Sequence, residues 1–432
     1  MHRALAHVRN IGAQLRPRGG WPRGPLLVAG ILLAGGVLLR LPVFTYGGEH
    51  AQDAFNRYIF QHPGSYSDIA SLYFRDHLWL HPAPYFDYRF EYPVVTGGFV
   101  WLLSALGSSV TSYTLASGAA LATLGLAAVL VVHAYEGSRV WILAAAPVLG
   151  LDVLLNWDLL AIALTAAALL AYQRNRDGWG GGLLALAVWA KLFPLLLLPL
   201  IALARVRERR WSELVRGLGS FAAVSAVINL PVALQHAAHG GGYVVRSKWA
   251  YFYAFNEHRR DVGGLWWFFG WLHPKAPEIN RLSSLLMLLA LAVVCFAMII
   301  GSRRVRASKL VPYAFLALLA WFVFINKIYS PQFGLWVVFL LAIAGAPLWL
   351  AVPFVVIDTA FYWVSFLGFT TTGHWYFPNV IRPAAGVREL VLLASVAWCI
   401  VRLARASPPL TPTARAGLGK LERPLAPVAG TT

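Results

Sequence analysis

Apolar stretches long enough to cross a bilayer recur along most of this 432-residue chain, and that recurrence leaves few folds open. Inside hydrocarbon every backbone N–H and C=O must be satisfied within the segment itself, so a spanning helix needs roughly 17 to 25 apolar residues. Spans are expected near 25–44, 112–133, 139–155, 158–173, 181–190 joined to 194–204 through a break, 214–233, 281–301, 310–325, 332–346, 347–367 and 387–403. The piece at 93–108 is too short and too glycine-rich for a span, and reads better as a half-helix lying in the interface. Hydrophobic residues make up 59% of the chain and charged residues 12%, about half the charge of an ordinary soluble domain, which excludes one. The expected fold is all-α: a polytopic membrane protein of about 12 transmembrane helices with a large first extracytoplasmic loop that carries juxtamembrane helices.

Basic residues favour the cytoplasmic side of short loops, so each arginine cluster reports on orientation. There are four: Arg3, Arg9, Arg16, Arg18 and Arg23; Arg205, Arg207, Arg209 and Arg210; Arg303, Arg304, Arg306 and Lys309; and Arg402, Arg405 and Arg415. If 93–108 is a half-helix and the break at Lys191 turns the chain, all four fall on one side and both termini are cytoplasmic. Residues 1–24 then form a basic cytoplasmic N-terminus, 25–403 the membrane domain, and 404–432 a disordered cytoplasmic tail rich in Pro, Thr and Ala. Arg40, at the far end of the first apolar segment, argues against a cleaved signal peptide. The net charge of +18 invites a nucleic-acid reading, but its placement in cytoplasmic loops points to membrane lipids with anionic head groups instead. Cys295 and Cys399 lie inside apolar spans with no disulfide or metal-binding spacing around them.

The same count sends another set of segments to the opposite face: the loop 45–92, Asn156-Trp157-Asp158, Lys191 to Pro194, the loop 235–280, Asn326 to Gln332, and Gly373 to Asn379. Polar residues at bilayer depth cost roughly 2.5 to 3.5 kcal/mol each, so they face a cavity or one another. Several converging on one side predict a hollow open to the outside. The first loop holds six of the 18 acids, Glu49, Asp53, Asp68, Asp76, Asp87 and Glu91. Within it, residues 66–73 read as a short amphipathic helix, and the proline- and aromatic-rich run 82–93 as an extended connection. A carboxylate at a membrane surface beside aromatic rings is partly desolvated and becomes more basic toward a hydroxyl, which suits Asp68 to take a proton from an alcohol. The plainer alternative makes Asp68 a helix cap or the partner of Arg75. In the second loop, Trp249, Tyr251, Tyr253, Trp266, Trp267 and Trp271 read as an interfacial belt or as a sugar-stacking platform. Asp358, deep in a span beside Tyr362 and Trp363, is expected to pair with a cation from a neighbouring helix.

An outward aspartate early in the first loop, then Pro84-Tyr85-Phe86-Asp87, then Phe90-Glu91-Tyr92-Pro93 opening an apolar helix, resembles the GT-C superfamily of integral-membrane glycosyltransferases. Within it the chain is most similar to glycosyltransferase family 87, bacterial mannosyltransferases that use polyprenyl-phosphate-mannose. Asn156-Trp157-Asp158 opening a span, Lys191-Leu-Phe-Pro194 breaking one, and Asn326-Lys327-Ile-Tyr-Ser-Pro331-Gln332-Phe333 also resemble stretches of that family, and the likeness runs from about Arg40 to Arg402. The chain departs from the family where Val94 follows Pro93 in place of a second proline, and where Asn-Trp-Asp replaces a Gly-Gln-containing turn.

The resemblance implies transfer of a hexosyl group, mannosyl by preference, from a polyprenyl-phosphate sugar to a lipid-linked or cell-envelope glycan acceptor, with no nucleotide, metal or other cofactor. Asp68 is the expected general base. Lys191, Lys327, Arg259 and Arg260 are the expected cations for the departing phosphate. Glu91, Asn156, Asp158, His258, Gln332 and His374 are expected to bind or orient sugar and acceptor. Each has a plainer reading: snorkelling for the lysines, surface pairing with Glu257 and Asp261 for the arginines, and no role for the histidines. A transporter or flippase is the competing class. It would show pseudo-symmetric halves, and no internal repeat is visible.

Overall fold

Stretches rich in Leu, Ala and Val become helices here because a helix satisfies its own backbone while turning apolar side chains to lipid and to neighbouring helices. A computed structural model of the chain describes residues 20–45, 52–234, 248–259, 264–269, 275–370 and 375–406. Among them the structure is helical, with one isolated bridge between Pro84 and Tyr88. In order the main helices are α1 (Arg23–Thr45), α2 (Gln52–Gln61), α3 (Asp68–Arg75), α4 (Val94–Ser104), α5 (Val110–Glu136), α6 (Asp158–Gln173), α7 (Asp177–Ala190), α8 (Leu197–Arg207), α9 (Trp211–Leu234), α10 (Tyr251–His258), α11 (Ala276–Gly301), α12 (Val311–Ile325), α13 (Phe333–Ile343), α14 (Leu348–Thr370) and α15 (Arg382–Ala404). Six segments among the described residues are long and apolar enough to cross a membrane: Arg23–Pro42, Val110–Ala144, Trp211–Leu234, Ala276–Gly301, Leu348–Gly368 and Phe377–Ala404. Shorter apolar helices, α4, α6, α12 and α13, lie among them, making this a multi-pass membrane protein.

Side-chain contacts fix the direction of the chain. Arg205, near the end of α8, pairs with Asp177 at the start of α7 at 2.6 Å, so the break at Lys191 reverses the chain as expected. Trp189 on α7 donates to Ser225 on α9 at 2.9 Å, and Gly181 meets Gly217, so those two helices run parallel. Ser283 on α11 donates to the carbonyl of Ile325, the last residue of α12, while Gly301 at the other end of α11 abuts Leu403 of α15. Arg207 reaches Ser302 at 3.1 Å and Glu208 accepts from the Ser308 amide at 2.8 Å. The basic clusters at 205–210, 303–309 and 402–405 therefore gather at one end of the bundle. Helix α4 stays at the other end: it starts two residues after Tyr92, behind Pro93, and its last residue, Ser104, meets His81 of the first loop at 2.8 Å.

One expected span is not a continuous helix. Residues 139–155 fold as a 3-10 turn, Gly137–Val140, and two short helices, Trp141–Ala144 and Pro147–Leu151. Pro147 lacks an amide N–H and pushes Ala146 into an extended conformation, so the helix stops between them. Close packing fixes the broken segment in place: a Cβ on Gly150 would run into the Leu32 carbonyl of α1. Past it, Arg40 is fully buried and ties three segments together, donating to the Tyr66 carbonyl at 3.0 Å, the Leu151 carbonyl at 2.5 Å and the Tyr362 hydroxyl at 2.5 Å. Asp358 Oδ1 accepts from the Tyr329 hydroxyl at 2.7 Å, and the cation that the neighbouring helix brings near it is Arg388, which stacks over the Tyr329 ring at 3.2 Å and pairs with Glu389 at 2.8 Å.

Candidate active site

Three helices stop at one level because their sequences stop them. α6 begins at Asp158, an acid in the first turn where the helix dipole favours it. α7 ends at Ala190, Lys191 is extended, and Pro194 sits in the 3-10 turn Phe193–Leu196. α12 ends at Ile325, Asn326 is extended, and helix resumes only at Phe333 after Pro331. The carbonyls freed at these ends find side-chain donors: Thr96 to Ala190 at 2.7 Å, and Trp266 to Ile325 at 2.6 Å. Helix α3 docks onto the same level. Ser67 caps it by accepting from the Ala70 amide and donates to the Leu154 carbonyl at 2.6 Å, while the Asp68 amide donates to the Leu155 carbonyl at 2.9 Å.

Where these ends meet lies a cavity of about 270 Å³. Asp68, Glu91, Asn156, Lys191, Arg259, Lys327 and Gln332 all line it, together with Tyr92, Phe333, Trp336 and the α10 residues Phe252, Phe255 and Asn256. Asp68 accepts from the Tyr66 hydroxyl at 2.6 Å and from the Asn156 amide at 2.8 Å. The Asp68 charge, with burial second, holds the Tyr66 phenol far above its ordinary pKa, so it remains a donor. Lys191 lies 3.0 Å from Asp158 and 3.2 Å from the Asn156 carbonyl oxygen, above the rings of Tyr92 and Trp336 at 5.1 and 5.8 Å. Asp158, whose side chain is 1% exposed, also accepts from the Trp336 indole at 2.7 Å. Lys327 donates to the Glu257 carbonyl, and Arg259 lies 5.9 Å over the Phe255 ring.

The alternative pairing of Asp68 with Arg75 is not what forms. Arg75 pairs with Asp76 at 2.6 Å and with Glu91 at 2.5 Å, and Ser67 is the cap. Burial pushes the Glu91 carboxyl above its ordinary pKa while Arg75 opposes the shift. Nor does Lys191 snorkel away from the bilayer, since its ammonium turns inward onto Asp158. Lys191 is matched by Asp158 and Glu91 by Arg75, and Asp68, Lys327 and Arg259 line the same hollow. Such a set can accept a proton at its carboxylate and stabilise a departing anion at its cations.

Of the other expected residues, His258 closes α10 but its side chain lies outside the described residues, as do Arg260, His374 and Glu49. Tyr66 and Trp336 carried no signal in the sequence. Tyr92 did, as part of Phe90-Glu91-Tyr92-Pro93, yet nothing local marked its hydroxyl as a partner of Asn156 at 2.7 Å. The two large loops also meet: Lys248 donates to the Phe86 carbonyl, and Arg89 lies 5.7 Å over the Tyr251 ring.

No protein-family model matches this chain, and no curated protein matches it. Among solved structures it is similar to the crystal structure of ArnT from Cupriavidus metallidurans bound to undecaprenyl phosphate, with 13% identity and a TM-score of 0.44 over 87% of this chain and 77% of that one. It is also similar to the apo-state structure of ArnT from Cupriavidus metallidurans, with 14% identity and a TM-score of 0.42 over 87% and 76% of the two chains. A likeness of this size carries no assignment of chemistry to this chain.

Proposed function

We propose that the protein is a membrane glycosyltransferase that moves a hexosyl group, mannosyl by preference, from a polyprenyl-phosphate sugar to a hydroxyl of a lipid-linked or envelope glycan on the extracytoplasmic face. The observation that carries this reading is one cavity lined by Asp68, Lys327 and Arg259 together with aromatic rings. The acceptor hydroxyl attacks the anomeric carbon as its proton passes to the Asp68 carboxylate, and the bond from that carbon to the phosphate oxygen breaks. Positive charge develops on the sugar at the transition state, and negative charge grows on the leaving polyprenyl phosphate, where Lys327 and Arg259 meet it. Attack from the face opposite the phosphate inverts the anomeric centre. Side-chain cations supply the phosphate's countercharge in this scheme, so the reaction is proposed to need no divalent metal. The same reading has both termini cytoplasmic, with 25–403 as the catalytic membrane domain between a basic N-terminal segment and a tail.

The test is transfer of radiolabel from polyprenyl-phosphate-mannose to a membrane lipid extract by purified protein. The wild type is expected to form a lipid-linked product and Asp68→Asn to form none, with unchanged thermal unfolding. Transfer that survives in the variant removes Asp68 as the base. Absence of transfer from that donor and from a polyprenyl-phosphate arabinofuranose alike favours a flippase for such lipids, which flux of labelled lipid across proteoliposomes would read directly.

A further inference from the structure

A second hollow of a different kind lies at the far end of the bundle. Lys309 and Tyr313, around the start of α12, and Arg402 and Arg405, at the end of α15, surround a cleft of about 390 Å³ whose remaining lining is apolar and includes no carboxylate. The 15 residues of α12, rising 1.5 Å each, set it about 22 Å from the Asp68 cavity at that helix's other end. Arg402 is steered by the Tyr313 ring, 5.5 Å from its guanidinium, and Tyr313 rests edge-on against Trp398 at 5.6 Å.

The neighbouring hollow of about 420 Å³, which shares Lys309, carries its own acids: Glu136 and Glu208 line it, and Glu208 pairs with Arg205 at 3.7 Å and with Arg210 at 3.9 Å. Among the described residues, no carboxylate lines the Lys309–Arg402 cleft. On its membrane side the cleft opens beside helices that show apolar side chains outward, with Phe296 of α11 64% exposed and Val401 of α15 46% exposed. Lys309 and Arg402 in a cleft with no carboxylate among its described lining residues, a Tyr–Trp pair and an adjoining greasy flank together match an amphiphile with a negative head.

We propose that this cleft binds the phosphate head group of an anionic membrane lipid, held by Lys309 and Arg402, with the acyl chains along the outer faces of α11 and α15. The site is independent of the Asp68 cavity and of the reaction assigned to it. Purified full-length protein in neutral detergent is titrated with phosphatidylglycerol, phosphatidylcholine or inorganic phosphate, and bound ligand is counted by native mass spectrometry. Phosphatidylglycerol is expected to bind and phosphatidylcholine not, with roughly fivefold weaker binding for Arg402→Gln and about 25-fold for Lys309→Gln with Arg402→Gln. Arg402→Lys is expected to keep the affinity within about threefold, and Arg139→Gln, outside the cleft lining, to leave it unchanged. Equal binding of both lipids, undiminished binding by Arg402→Gln, or binding of inorganic phosphate without the lipid overturns the proposal. Arg402 is exposed, so its single variant reads the site without testing the fold.

Discussion

Lys191 and Lys327 hold matching places in the chain, each just past the end of an apolar helix that stops at the cavity, and each lines the same hollow. Their surroundings differ. Lys191 lies against a buried carboxylate that is itself fixed by Trp336, whereas Lys327 rests on a backbone carbonyl. A cation with its countercharge already in contact adds little net field to a cavity, while Lys327, hydrogen-bonded to a neutral carbonyl with the Glu257 carboxylate near it but not paired to it, keeps more of its own. A helix break thus identifies which side chains reach a hollow, and the neighbouring countercharge separates those that hold the wall together from those that can act on a substrate.

Asp68→Asn gives the largest expected effect on that comparison, because among the described residues lining both lysines' cavity it removes the carboxylate that has no cation bound to it. Transfer should fall by about 10³-fold or more while the unfolding temperature holds. Next comes Lys191→Met, expected to destabilise the protein by about 3 kcal/mol because it strands the Asp158 charge in a dry site. Adding Asp158→Asn should recover most of that loss, which unfolding curves in detergent would read. Lys327→Gln should lower turnover by roughly 10²-fold with little change in stability, the reverse signature of Lys191. If the two lysine variants behave alike in both assays, the distinction between them is wrong. Arg259→Gln, at the more exposed rim, should cost about 10-fold and make the remaining activity less sensitive to salt. Smallest of all, EDTA is expected to change initial rates by less than about twofold if side chains alone neutralise the phosphate.

Much of this was legible in the residues because it depends on local cost. Lys, Asp and Asn at the ends of apolar runs are too expensive to face lipid, so Asn156, Asp158, Lys191 and Lys327 had to converge, and Pro194 and Pro331 marked where helices give way. The first-loop helix was readable from its amphipathic pattern. What stayed hidden depends on which distant segments meet. Trp336 is one aromatic among many on an apolar helix, and only the fold brings its indole to Asp158. Tyr66 reaches Asp68 because Arg40 and Tyr362 pin the loop from two other helices. The run 139–155 misled for the opposite reason: its composition suits a span, but one proline and a glycine contact with α1 decide its shape.

Asn156 spends every hydrogen-bonding valence it has, with its nitrogen on Asp68 and Tyr92 and its oxygen on Lys191 and the Trp157 amide. Interposed in this way, a neutral amide keeps an acid and an ammonium of opposite sign from collapsing onto each other. A direct contact would occupy the Asp68 oxygens, whereas the spacer leaves Asp68 with lone pairs to offer an incoming alcohol. The side chain in the middle of the site that carries no charge is what prevents the others from cancelling.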